Sequence, residues 1–368
     1  MNKRVFIESP LPSRHWRRRA PRSHAALRQG RAHPPPSLAF AQATLHVLAP
    51  CAGPCSRQEI LSTIHLDLDF EAQGTFTAPA FAGSMLRGAF GAALKRTVCV
   101  MRLRDCDGCP LERACIYTTV FETRPPAEAG VMRLYERAPQ PFILEAPETD
   151  QTDAPTQRAP GSILAMSVRL FGEAARAAPF VLRAFEDAGQ RGFGAARTPH
   201  VLIEARDGAG ATVWRKGGAF TPVRPDAATP PPLPNRTRWR LVTPMRLKRD
   251  GKLLTPDTLT AADLAMAVVR RLGLLATFFG DRPVEMDFKA LKAAAQNARL
   301  EARALRWREI VRRSSRQNAT LSMGGIVGEA TVDLGGDERL AAALAWAPLI
   351  HVGKGASMGL GRVALDAT

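Results

Sequence analysis

The chain has 368 residues, 45% of them hydrophobic and 23% charged, with a formal net charge of +17. That length accommodates two domains of ordinary size, and no apolar run approaches the roughly eighteen residues of a transmembrane helix. The positive balance excludes little about fold but points to a polyanionic partner: RNA, DNA or an anionic surface.

Residues 1–59 hold ten Lys or Arg and two Asp or Glu, about half of the charge excess. Stretches such as HWRRRAPRSH and RAHPPPSLAF show no sustained periodicity. The segment reads as a basic, disordered extension, or as the product of a start codon chosen upstream. Its apolar run SLAFAQATLHVLAP lies too far in, and is too broken, for a signal peptide. A cytoplasmic location is therefore expected. The remainder still carries about +9, so the basic bias extends to the folded part.

The first orderly stretch, Ser62 to Ala72, alternates Ile64, Leu66, Leu68 and Phe70 with polar residues, the pattern of a half-buried strand. GSMLRGAFGAALKRTVC then spaces Met85, Leu86, Phe90, Ala93, Leu94 and Val98 as one face of an amphipathic helix. A cysteine-rich insert follows over 99–115. Strand-like PFILEA and SILAMSVRLFG, a helix over 174–188, the turn GQRGFGAART, and the strands HVLIEAR and TVWRK complete a first domain, residues 60–223. The proline-rich RPDAATPPPLPN, residues 224–235, reads as a linker. A second domain, 236–368, opens on the strand RTRWRLVTPMRLK. It continues with a turn at Asp250–Gly251, helix over 260–279 and again over 288–312, the strand SMGGIVGEATVDL, a short helix over 338–346, and a glycine-rich turn into a last strand. Each half is α+β and begins on a strand, which fits two ferredoxin-like, RRM-like domains in tandem.

Four of the six cysteines lie in CVMRLRDCDGCPLERAC, spaced C-x6-C-x2-C-x5-C: Cys99, Cys106, Cys109 and Cys115. Thiolates bind soft metals, and a compact loop can aim four of them at one centre. The spacing is similar to the iron–sulfur loop of the helix-hairpin-helix DNA glycosylases, which the rest of the chain does not resemble. A structural [4Fe–4S] cluster is the first expectation, Zn²⁺ the second, and four reduced thiols packed as small apolar groups the third.

Near its end the chain reads HVGKGASMGLGRV, placing Gly353, Gly355, Gly359 and Gly361 beside Lys354 and Arg362. Bare backbone beside cations suits phosphate oxygens, because N–H groups can approach without a Cβ in the way. The same glycines also suit a tight turn between a helix and a strand.

From His65 to the end, the chain resembles the CRISPR-associated RAMP-type endoribonucleases that process precursor CRISPR RNA. GSMLRGAFGAALKRTVC with IYTTVFETRPP, GQRGFGAARTPHVLIEA, TPMRLKRDGKLL with RRLGLLATFFG, and RQNATLSMGGIVGEATV with LIHVGKGASMGLGRV carry the likeness. The resemblance implies tandem RAMP domains of ferredoxin-like fold, a basic face that holds CRISPR repeat RNA or crRNA, and contacts with other subunits of a CRISPR interference complex. It implies an endoribonuclease needing no metal: the 2′-hydroxyl attacks the adjacent phosphate, leaving a 2′,3′-cyclic phosphate and a 5′-hydroxyl. Members commonly read G-H-A-L in the first helix where this chain reads Gly91-Ala92-Ala93-Leu94, and Ala92 cannot transfer a proton. The alternative is therefore a weakly active or inactive crRNA-binding subunit.

Within the expected folded part, histidine occurs only at His65, His200 and His351. His65 and His200 fall in expected strands, so His351, beside the glycine turn, is the expected acid or base. Arg87, Lys95 and Arg96 on the first helix, Arg246, Lys248 and Arg249 near the Asp250 turn, Arg313, Arg316 and Gln317, and Gly353, Lys354, Gly355, Gly359, Gly361 and Arg362 are the expected RNA contacts. Aromatic residues make up 6% of the chain, so backbone and shape reading is expected over base stacking.

Overall fold

The computed structural model describes residues 60–102, 105–123, 138–146, 154–227, 230–280, 286–314 and 319–367. The basic extension read over 1–59 lies outside them, as do Arg316 and Gln317.

In β1 (Ser62–Ala72), Ile64, Leu66, Leu68 and Phe70 are buried, while His65, Asp67, Asp69 and Glu71 are half-buried. Period-two patterning thus sets the strand, with one face covered. α1 (Gly83–Val98) and α2 (Ile116–Val120) flank the cysteine insert. β2 (Phe142–Glu145) and β3 (Ile163–Phe171) lead into α3 (Ala178–Arg191), then β4 (His200–Asp207) and β5 (Thr212–Arg215). The strands form one antiparallel sheet in the order β2-β3-β1-β4-β5. Its first four strands follow the order of a ferredoxin-like unit, with α1 and α3 as the two crossovers. The helices meet where Phe90 stacks on Phe185, ring centroids 4.7 Å apart, within the same core as Leu68 and Phe142.

The second unit repeats the plan. β6 (Arg236–Met245) is followed by α4 (Ala261–Phe279), α5 (Phe288–Asn297), β7 (Arg299–Arg308), β8 (Gly325–Asp333), α6 (Glu338–Leu344), α7 (Ala347–Ile350) and β9 (Val363–Ala367). The sheet runs β7-β8-β6-β9, again antiparallel. Trp239, Leu264, Val268, Leu272 and Leu344 fill its core. The tandem ferredoxin-like expectation holds.

One element differs. The helix expected through 288–312 stops at Asn297, and RLEARALRWR is strand β7. Leu, Ala, Arg and Glu favour helix intrinsically. Pairing along β8, from Arg299 opposite Asp333 to Arg308 opposite Gly325, outweighs that preference.

The two cores touch. Ile143 of β2 and Phe171 at the end of β3 bury among the side chains of the second core. The glycine-rich turn lies at the same junction: a Cβ on Gly83, at the start of α1, would stand 1.9 Å from the Met358 carbonyl oxygen. Only a glycine lets α1 begin there.

Candidate functional site

The glycine-rich turn leaves α7 at His351 and enters β9 at Val363. Gly353, Gly355, Gly359 and Gly361 all have positive φ. At Gly361 the requirement is twofold: φ is +69°, and a Cβ would lie 1.8 Å from the Val352 carbonyl oxygen. The turn is pinned to β6 and the residue after it. The Thr243 hydroxyl donates to the Gly359 carbonyl at 2.6 Å, Gly361 N–H donates to Pro244 O at 3.1 Å, and Lys354 N–H donates to Arg246 O at 3.0 Å. Gly353 forms a parallel bridge with Arg246. Arg246, Gly353 and Lys354, far apart in sequence, are thereby neighbours, and the Lys354 side chain is exposed.

His351 is elsewhere than a proton-transfer role requires. Its side chain has no exposed surface, and its φ is +54°. Nε2 pairs with Glu145 Oε1 of β2 at 3.3 Å, while Nδ1 is buried without a hydrogen-bond partner. Burial pushes the imidazole pKa below its ordinary value, so it is neutral at pH 7 and donates from Nε2. Burial alone would raise the Glu145 carboxyl. The His351 hydrogen bond and the Arg362 and Arg169 guanidiniums outweigh it and hold the carboxyl at about 2. Arg362 Nε lies 3.6 Å from Glu145 Oε2. This arrangement ties the glycine turn to β2, across the junction of the two sheets.

A polar cavity of about 370 Å³ opens beside the turn; Arg87 of α1, Arg271 of α4, Gln140, Gly353 and Ser357 line it together with one carboxylate, Glu122. Gln140 Oε1 accepts from Arg87 Nη2 at 3.1 Å and from the Ser357 hydroxyl at 2.5 Å. Arg87 also stacks over the Phe121 ring, 4.7 Å from its centroid. Arg271 donates from Nε to the Ile350 carbonyl, and its Nη2 is buried with no hydrogen-bond partner. Burial lowers its pKa to about 10, which leaves it charged at neutral pH. A buried guanidinium nitrogen without an acceptor is costly, and an anion in the cavity would supply one. Arg271 is absent from the contacts expected from sequence. The available signal was an arginine pair inside the apolar run LAMAVVRRLGLLATFF.

The other expected contacts divide. Arg96 is engaged by Asp187 at 2.5 Å, and Lys95 Nζ lies 5.4 Å from the Tyr117 ring centroid. Arg246 Nη1 donates to Ser322 O at 3.0 Å. Lys248 is exposed on a two-residue strand paired with Lys252–Leu253. Arg249 donates to Thr258 O at 2.5 Å. Arg313 lies on a strand, Val311–Ser314, paired with Ala319–Ser322. His65 pairs with Asp67 at 3.0 Å, and His200 is buried, its Nδ1 against Thr198 O at 2.7 Å. Ala92 is exposed on α1.

In the cysteine insert, all four thiols are free and half-buried, and all four line one cavity of about 180 Å³. Among the described residues no group of three or more His, Cys, Asp or Glu is arranged to hold a metal ion.

Two ferredoxin-like units joined through a basic, glycine-rich turn define a RAMP-type architecture. Residues 239–363 match the family model of the CRISPR-associated endoribonuclease Cas6, and residues 61–226 match an N-terminal-domain model, AF_1859_N. Over that segment the chain is a relative of the Cas6-type repeat-specific endoribonucleases. A solved Cas6 product complex, of the Thermus thermophilus protein, aligns with TM-score 0.52 and 17% identity over 83% of this chain and 100% of that one. A partial Cas6-RT-Cas1–Cas2 complex aligns with TM-score 0.50 and 15% identity over 84% of this chain and 46% of that one. At these identities the likeness concerns the fold. No curated protein sequence matches. Among the described residues no helix is long and apolar enough to cross a membrane.

Proposed function

We propose that the protein binds CRISPR repeat RNA across the junction of its two units and cleaves it without a metal ion. The observation that carries this is Arg271: a buried guanidinium with a free Nη2 lines the same cavity as Arg87 and the glycine-rich turn. A phosphodiester there would accept from Arg271 and Arg87 and meet the N–H groups of the turn. In the reaction, the 2′-oxygen attacks the adjacent phosphorus and the bond to the 5′-oxygen breaks. The proton lost by the 2′-hydroxyl is balanced by one gained at the leaving 5′-oxygen. Preorganised cations stabilise the extra negative charge on the phosphorane. His351 serves this as a positioning residue, since it reaches Glu145 and not the cavity.

A second reading, a weakly active subunit that holds crRNA, is favoured by two observations: Ala92 is exposed where relatives commonly carry His, and among the described residues no histidine lines the cavity. One experiment separates them. Purified protein is incubated with labelled repeat RNA, with and without EDTA, and the product ends are mapped. Cleavage in EDTA to a cyclic phosphate and a 5′-hydroxyl establishes the enzyme; tight binding with no cleavage leaves the holding role. R271M should cut at least about 100-fold more slowly, in line with the loss of one preorganised donor. Wild-type cleavage by R271M would remove the cavity from the mechanism.

A further inference from the structure

Composition argues against base stacking, but one tryptophan stands apart. Trp307, near the end of the edge strand β7, is 37% exposed, while the other tryptophans of the described residues, Trp214, Trp239 and Trp346, are buried. Its indole is nonetheless held. Nε1 donates to Glu309 Oε2 at 3.0 Å, and the Ser322 hydroxyl donates to Glu309 Oε1 at 2.5 Å, so the carboxylate is fixed from two sides. Gly324 makes room for this pair: a Cβ there would stand 2.3 Å from Glu309 Oε2 and 2.7 Å from Trp307 Nε1. An indole with its one polar atom satisfied and its ring partly in water presents an oriented apolar face.

The same residues adjoin the glycine-rich turn. Ser322 O accepts from Arg246 Nη1 at 3.0 Å. Arg246 O accepts from Lys354 N–H at 3.0 Å, and Arg246 bridges Gly353. Ile310 and Met323 are joined by a hydrogen bond from Met323 N–H to Ile310 O at 2.7 Å. They pack with Phe81, which precedes α1, and with Leu360 and Met358 of the turn. The stretch that follows Trp307 is therefore seated on the turn. The one carboxylate in the group, Glu309, is engaged by Trp307 and Ser322 and feels the Arg246 cation.

We propose that Trp307 stacks on one nucleobase of the strand whose phosphates the glycine-rich turn holds. This contact rests on the RNA binding proposed above and adds a base to it. Phosphate contacts carry no base information, whereas an unstacked base of single-stranded RNA finds a partner in an aromatic face. Every base has a π-face, so the contact selects an unpaired, splayed nucleotide rather than one base over another.

The test measures the affinity of the full chain for labelled repeat RNA, intact and with an abasic nucleotide at each position in turn. W307A should weaken binding to the intact RNA by about 5- to 150-fold, the range for loss of one stacked base. The slope of log K against log salt should stay unchanged, because no phosphate contact is lost. W307F should retain most of the affinity. At one position the abasic nucleotide should weaken the wild type and cost W307A nothing further. RNA should quench tryptophan emission in the wild type and less so in W307F, a readout that decides the matter should W307A fail to fold. Wild-type affinity in W307A, or abasic losses of equal size in both proteins at every position, would overturn the stacking contact and leave the phosphate grip standing. A wild-type chain that binds no repeat RNA would overturn the RNA binding itself, and the stacking contact with it.

Discussion

Glu145 is a buried carboxylate that works through neighbours on several elements. His351 and Arg362 come from the glycine-rich turn, Arg169 from β3, and each favours its charged form. Because its folded pKa, about 2, lies below the ordinary value near 4.3, its contribution is complete above pH 4.3 and is lost as pH falls toward 2. E145Q should therefore cost on the order of 2–3 kcal/mol at pH 7, and urea melts of the two proteins should converge as pH drops below about 4. A gap that stays constant with pH would mean the carboxylate charge is not what stabilises the turn. His351 adds to acid sensitivity in the same direction. Its lowered pKa means that the unfolded chain takes up a proton below about 6.5 while the folded one resists. Gly361 gives a pH-independent test of the same turn. G361A must accept a positive φ and a Cβ 1.8 Å from Val352 O, so a loss of about 2 kcal/mol or more is expected. An unchanged thermal midpoint would show that the turn relaxes freely. The turn was legible in the sequence because four glycines in nine residues have few other uses. Arg271 was not: the pair Arg270-Arg271 interrupts an apolar run, but its partners at Ile350 and the cavity exist only after folding.

At the scale of elements, the sequence was clearest where local chemistry and tertiary demand agree. α4 opens on Thr260, whose hydroxyl accepts from Asp263 N–H at 3.2 Å while the Asp263 carboxylate accepts from Thr260 N–H at 3.1 Å. That capping box fixes the start of the helix that carries Arg271. T260A should lower stability by about 1 kcal/mol, read by denaturant midpoint, and leave RNA affinity nearly unchanged, since Arg271 lies three turns away and is held by Ile350. A large affinity loss would mean that the register of α4 depends on its cap. β7 shows the opposite case. Arg299–Arg308 carries helix-favouring residues, and only its pairing with β8 makes it a strand. That partner begins at Gly325, beyond the hairpin of Val311–Ser314 and Ala319–Ser322, so no window around β7 alone contains the deciding information.

The two units share one strand order, 2-3-1-4, and the joint between them is made largely by the last turn of the second unit seated on β2 and α1 of the first. A ligand spanning that joint would meet cations from both units, which single-site reasoning on either sheet does not anticipate. The salt dependence of RNA binding measures this directly, because each phosphate neutralised on a single strand contributes about 0.7 to the slope of log K against log salt. Lys354 N–H is bonded to Arg246 O, but the residue is exposed on the turn, so its side chain can be truncated without removing a hydrogen bond that holds the joint. K354A should therefore keep the fold and lower the slope by about 0.7. Arg215, on β5 at the far edge of the first sheet, is occupied by Glu204 at 3.0 Å and makes the control. R215A should leave the slope as it was. If both variants reduce the slope equally, RNA is attracted by net charge spread over the surface. If only K354A does, the strand follows the joint, and the turn that closes the fold is also the turn that grips the phosphate.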